Sequence, residues 1–170
     1  GDRAAVLLRN CSPYLELHFA LPQAGIITVP LNYRNREKEL VYAIQNSGAN
    51  TLFFGKEFAD VIHSIKGDLG GVRNFIGVGG PIVGAHEYEE LIFAASSEEP
   101  RVDLDEEDIV ALVYTSGTTG RPKGAMITQR SLLADSKNIH ASIPHLPEDI
   151  GLNFFPLFHI GFSRSVCSMA

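Results

Sequence analysis

Short β-branched and aromatic runs alternate with helix-length stripes along the first half of this chain, and that alternation limits the fold more than any other feature. Ala4–Leu8, Ile26–Val29, Thr51–Phe54 and Phe75–Val78 are apolar runs of strand length. Between the first two, Tyr14, Leu17, Leu21 and Ala24 recur at helical spacing. Ser12 offers a capping hydroxyl there, and Pro13 stands at the first helical position, where a missing N–H costs nothing. Pro22 predicts an end or kink near Leu21, with Gly25 as the stop. Leu40, Val41 and Ile44 form the apolar face of a helix over residues 36–47, with Asn35 as its cap and Gly48 as its stop. Phe58, Val61, Ile62 and Ile65 mark a third helix. Strand, helix, strand in this rhythm predicts an α/β fold, a mainly parallel sheet with helices on both faces.

The second half opens with a different signal. An apolar run from Ile109 to Tyr114 breaks abruptly into Thr115, Ser116, Gly117, Thr118, Thr119 and Gly120, and Lys123 follows Arg121 and Pro122. A polyphosphate is large, multiply charged and covered in acceptor oxygens. Consecutive backbone N–H groups and hydroxyls hold it well, with glycines letting the backbone come close. One flexible ammonium, that of Lys123, completes the charge balance. The spacing is not that of the strand-to-helix NTPase loop, because Pro122 stands where a second glycine is needed and Gly124 where a hydroxyl is needed. Ala125–Thr128 is suited to return as a strand, which makes the loop the tip of a hairpin. A helix over residues 130–143 follows, with Leu132, Leu133, Ser136, Ile139, His140 and Ile143 on one stripe.

Other features carry less chemistry. Gly77, Gly79 and Gly80 are followed at once by Pro81, which indicates a turn, not a dinucleotide loop. Residues 86–95 suit a short helix. Asp103, Asp105, Glu106, Glu107 and Asp108 point in different directions and read as a solvated connection. Near the end, LNFFPLFHIG predicts a buried strand ending at Pro156 with His159 at its tip, a common place for site residues in open parallel sheets. By side-chain chemistry alone, His159 among phenylalanines reads as either a packed or a functional histidine. His140 reads as a packing residue, and His145 is assigned no role.

At 170 residues, 45% hydrophobic, the chain has the size of one domain or a piece of a larger one. A net charge of −6 without a basic cluster argues against nucleic acid. No apolar run is long enough to span a bilayer, and residues 1–10 lack a signal-peptide pattern, so a cytoplasmic address is expected. Cys11 and Cys167 read as unpaired thiols.

With these residues in view, YTSGTTGRPKGAMITQRSL resembles the signature phosphate loop of the adenylate-forming superfamily. That superfamily contains acyl-CoA synthetases, aryl-CoA ligases, firefly luciferase and peptide-synthetase adenylation domains. LPQAGIITVPLNYRNREKELVYAIQNSGANTLFF is similar to a segment near the start of its large domain, and Asn32 in the PLN wording is closer to acyl-CoA synthetases. PLFHIG looks like the superfamily's next motif. The resemblance implies that Thr115, Ser116, Gly117, Thr118, Thr119 and Gly120 grip the β- and γ-phosphates of ATP while a carboxylate attacks the α-phosphorus. Lys123 would neutralise the leaving pyrophosphate. His159 would position the acid, with Phe158 beside it, and Phe162 in place of a second glycine leaves the pocket width and the acyl chain length open. It further implies that residues 1–170 are part of an N-terminal adenylation domain, truncated at both ends, whose C-terminal domain is absent. Such a fragment would be inactive alone. ATP, a carboxylic acid of the fatty-acid class and coenzyme A are the implied substrates, and Mg2+ would be held mainly by residues beyond this stretch. A carrier-protein ligase, a luciferase-like enzyme or a non-catalytic nucleotide-binding or interaction module would share these residues, and homo-oligomerisation is left open.

Overall fold

The computed structural model describes residues 1–115, 121–143, 146, 149–150, 152 and 154–160. Its centre is one sheet in the order β5-β4-β3-β1-β2-β6-β7. The strands are β1 (Arg3–Leu7), β2 (Ile27–Pro30), β3 (Thr51–Gly55), β4 (Asn74–Val78), β5 (His86–Glu87), β6 (Ile109–Thr115) and β7 (Lys123–Thr128). Every neighbouring pair is parallel except β6 with β7. The helices are α1 (Ser12–Gln23), α2 (Glu37–Ser47), α3 (Ala59–Ile65), α4 (Tyr88–Ala94) and α5 (Gln129–Ser142).

Strand β1 shows why both faces are covered. Successive side chains point to opposite sides of a strand. Ala5 and Leu7 pack with Leu40 and Ile44 of α2 and Ile62 and Ile65 of α3. Ala4, Val6 and Leu8 pack with Tyr14, Leu17 and Leu21 of α1 and with Tyr88 of α4. A strand apolar on both faces belongs inside a parallel α/β sheet.

The helix ends differ from expectation by small steps with local causes. The N-cap of α1 is Cys11, with Ser12 and Pro13 already inside the first turn. Pro22 does not stop α1, because it lies in the last turn, where the chain closes around Gly25 at φ 69°. There the Gly25 N–H donates to the Pro22 carbonyl and the Ile26 N–H to the Leu21 carbonyl, so the orphan carbonyls are satisfied without the missing proline donor. The N-cap of α2 is Arg36, not Asn35. The Asn35 N–H is already donated to the Asn32 carbonyl, whereas the Arg36 N–H reaches Glu39 Oε2 at 2.7 Å. Gly48, at φ 68°, ends α2 as expected.

Two expectations need correction. Residues 86–87 are not helical but form β5, pairing in parallel with Ile76 and Gly77, and α4 starts at Tyr88. Leu152 and the described residues up to Pro156 form no strand: Leu152 and Phe154 are exposed, Phe154 stacks on Phe155 at 4.6 Å, and no ladder partner flanks them. The glycines after β4 are a turn, with Gly79 and Gly80 at φ 95° and 107°. The stripe expected on α5 exists as a helix face, but none of its residues is buried. Cys167, His145 and Phe162 lie outside the described residues.

Candidate active site

Chain direction places the site. From β1 the chain runs into α1 on one face, and from β2 it runs into α2 on the other. Adjacent parallel strands whose connections leave in opposite directions open a crevice at their carboxyl ends. Into that crevice the fold brings the loop after β2, the end of β6 and the turn bearing His159. A cavity of about 350 Å³ there is lined by Asn32, Glu39 and Tyr42 from the β2–α2 segment, by Thr115 and Pro122, and by Phe158–Ile160.

The expected hairpin forms, and its return strand begins at Lys123, two residues earlier than the sequence suggested. Thr115 and Lys123 are paired across the antiparallel ladder, so the loop stands on these two residues. Both are exposed. Ser116, Gly117, Thr118, Thr119 and Gly120 lie outside the described residues. Helix α2 holds the base of the hairpin from below. Tyr42 Oη donates to the Pro122 carbonyl at 3.0 Å, and Tyr114 Oη donates to Asn46 Oδ1 at 2.7 Å. The two tyrosine rings meet edge to face at 6.4 Å, and the Arg121 guanidinium lies 5.7 Å from the Tyr42 ring centre. Burial pushes the Tyr114 phenol above its usual range, which keeps it a neutral donor. Tyr42 and Asn46 are four residues apart and so share one helix face. Sequence periodicity gave no signal for either, since both partners are far away in the chain.

His159, an exposed residue, lines the same cavity through the turn that carries its backbone. The backbone N–H of His159 donates to the Pro156 carbonyl at 3.0 Å, closing a turn. Phe158 packs edge-on against Tyr33 at 5.2 Å, and the Arg9 guanidinium lies 5.4 Å from the centre of the Tyr33 ring. Asn10, between β1 and α1, reaches the same turn. Its Nδ2 donates to the Phe155 carbonyl at 3.0 Å and its Oδ1 accepts from the Leu157 N–H at 3.0 Å. The structure therefore brings Thr115 and His159 to one cavity, with Lys123 across the ladder from Thr115.

The acidic run is an exposed connection, as expected, and it carries local hydrogen bonds and ion pairs. Asp105 Oδ1 accepts from the Glu107 N–H and Asp108 Oδ2 from the Asp105 N–H, both at 2.8 Å. Arg130 pairs with Glu107 at 2.6 Å and with Glu106 at 3.5 Å. The carbonyls of Asp108 and Glu106 accept the first N–H groups of α5. Among the described residues no cluster of acids, histidines and cysteines could hold a metal ion. Glu39, the carboxylate that lines the cavity, is engaged with the Arg36 N–H. The described residues therefore do not fit a magnesium site.

A family model described as AMP-binding enzyme matches residues 1–170. The chain belongs to this family. Among its relatives, a feruloyl-CoA synthase of Amycolatopsis sp is 36% identical over 98% of this chain and 31% of its own length. A long-chain-fatty-acid–CoA ligase of Mycobacterium tuberculosis is 30% identical over 98% of this chain and 32% of its own. The chain thus spans about a third of the curated relatives it matches. The inhibitor-bound N-terminal domain of FACL13 from M. tuberculosis superposes with a TM-score of 0.90 at 29% identity, covering 99% of this chain and 41% of that one. A putative long-chain-fatty-acid CoA ligase from Rhodopseudomonas palustris gives 0.89 at 27%, covering 99% and 42%. The mostly parallel seven-stranded sheet flanked by helices is the arrangement shared with these N-terminal regions. No helix among the described residues is long and apolar enough to cross a membrane.

Proposed function

We propose that this chain is part of the N-terminal domain of an AMP-forming acid–thiol ligase. The observation that carries the reading is the placement of the two residues that bracket the glycine- and hydroxyl-rich stretch: Thr115 and Lys123 are paired across the hairpin, and Thr115 lines a cavity together with His159. In the first half-reaction an oxygen of a carboxylate forms a bond to the α-phosphorus of ATP, the bridging α–β bond breaks, and pyrophosphate leaves with its electron pair. Thr115, Ser116, Gly117, Thr118, Thr119 and Gly120 donate hydrogen bonds to the β- and γ-phosphates. Lys123 balances the charge that accumulates on the leaving group, and His159 borders and orients the acid. Donors aimed at developing charge act more strongly on the transition state than on bound ATP. In the second half-reaction the thiol of coenzyme A attacks the acyl carbonyl and AMP departs. Magnesium supplies further charge neutralisation in such chemistry, and no step here is assigned to it.

Relatives named for feruloyl-CoA and for long-chain fatty acids bracket the acid as aromatic or aliphatic. Our reading takes the aliphatic, fatty-acid side, and a panel of both kinds decides it. Because the chain spans about a third of the ligases it matches, the whole protein is the thing to assay. The test is pyrophosphate exchange into ATP by the full-length protein, followed by transfer to coenzyme A, a carrier protein or oxygen. Exchange that needs the acid, with a thioester formed only on coenzyme A, supports the reading. Release of ADP, or exchange indifferent to added acid, overturns it.

A further inference from the structure

We propose that Asn10 is a positioning residue for the acid-binding side of the reaction, its carboxamide clamping the turn that carries His159 onto the carboxyl end of β1. This rests on the ligase reading above. The clamp is two-pronged: one side-chain amide donates to the Phe155 carbonyl and accepts from the Leu157 N–H, each at 3.0 Å, across 145 and 147 residues of chain. Its orientation is settled by chemistry, since a flipped amide would set N–H against N–H and oxygen against oxygen.

The two prongs fix residues 155 and 157, and the His159 N–H to Pro156 carbonyl bond at 3.0 Å fixes the remainder of the turn. Side chains also hold this turn: Leu157 is buried in the core on the α1 side of the sheet, and Phe158 lies edge-on to Tyr33. Apolar packing tolerates sliding, whereas a pair of hydrogen bonds to the backbone sets the height of the turn above the strand ends. That height decides where the imidazole of His159 meets the cavity it shares with Thr115. Asn10 itself does not line that cavity, so its action passes through His159.

The experiment is a double-mutant cycle in the full-length protein, reading acid-dependent pyrophosphate exchange and amide hydrogen exchange at Leu157. Asn10→Ala is expected to raise the KM for the acid about tenfold, as the loss of two such bonds would, while the KM for ATP stays within about twofold. In a His159→Ala background the same change should move the acid KM by less than about twofold, the signature of groups acting as one unit. Faster exchange at Leu157 in Asn10→Ala completes the support. Should alanine prevent folding, Asn10→Asp is read instead, because it keeps the acceptor for Leu157 and loses the donor to Phe155. It too should raise the KM for the acid and leave that for ATP unchanged.

Multiplying effects in the cycle, an equal rise in both KM values, unchanged protection at Leu157, or a His159→Ala variant that behaves as wild type would each overturn the proposal. A wild-type protein without acid-dependent exchange would overturn the ligase reading and this proposal together. Lost protection at Leu157 would then still report a clamp of purely structural use.

Discussion

Tyr42 ties the return limb of the β6–β7 hairpin to α2 through one hydroxyl on the Pro122 carbonyl. Tyr42→Phe keeps the ring against Tyr114 and under Arg121 but loses that bond, worth about 1 kcal/mol net. We expect adenylation by the full-length protein to slow several-fold while the melting temperature changes little, as exchange kinetics beside a thermal melt would show. Gly48→Ala behaves differently. At φ 68° an added Cβ is strained and also meets Arg3 Nη1 at 2.8 Å, where that guanidinium donates to the Ser47 carbonyl. A loss of about 1 kcal/mol or more in urea unfolding is expected. His18 gives a pH effect. Burial holds its imidazole below the ordinary histidine range, so on acidification through that range the unfolded chain takes up a proton that the folded chain refuses. Stability therefore falls as pH drops below about 6.5, and His18→Gln should flatten that part of the profile in urea midpoints taken from pH 7 to pH 5. The hairpin that pairs Thr115 with Lys123 was legible because strand, turn residues and return strand follow one another in the sequence. Asn10 and Tyr42 were not, because their partners lie 145 and 80 residues away and neither residue breaks a local pattern.

At the scale of elements, what the sequence misjudged was which neighbour owns a terminal residue. Asn35 looked like the cap of α2 by type, but its backbone is spent on the preceding turn, and the Glu39 carboxylate made Arg36 the boundary. Residues 86–87 looked helical because a two-residue strand has no period to read, and only the presence of β4 alongside makes them one. Thr128 was expected to end the strand, as it does, but its capping of the next helix was not read. Thr128 ends the strand and caps the helix, its Oγ1 accepting from the Ser131 N–H at 3.2 Å while Ser131 Oγ accepts from the Thr128 N–H at 3.1 Å. Thr128→Ala should cost about 1 kcal/mol. The loss should register as faster amide exchange in the first turn of α5, with β1 to β4 unchanged.

For the molecule as a whole, the parallel sheet with helices on both faces followed directly from strands such as β1, apolar on both sides. The strand order did not, since nothing in β2 or β6 announces that they are neighbours. That adjacency makes the site. It sets the end of β6, and with it the Thr115–Lys123 pair, beside the crevice where the chain leaves β1 and β2 in opposite directions. On the opposite face the same three strands β2, β6 and β7 border an apolar groove of about 360 Å³ between α1 and α5. On the proposed function, residues 115–120 and Lys123 embrace the departing phosphates of ATP. The most direct measurement is a crystal structure of the full-length protein with a non-hydrolysable ATP analogue. The β- and γ-phosphates are expected to be seated against residues 115–120, with the Lys123 ammonium on their oxygens. A nucleotide bound with its phosphates turned away from that loop and that lysine would contradict it.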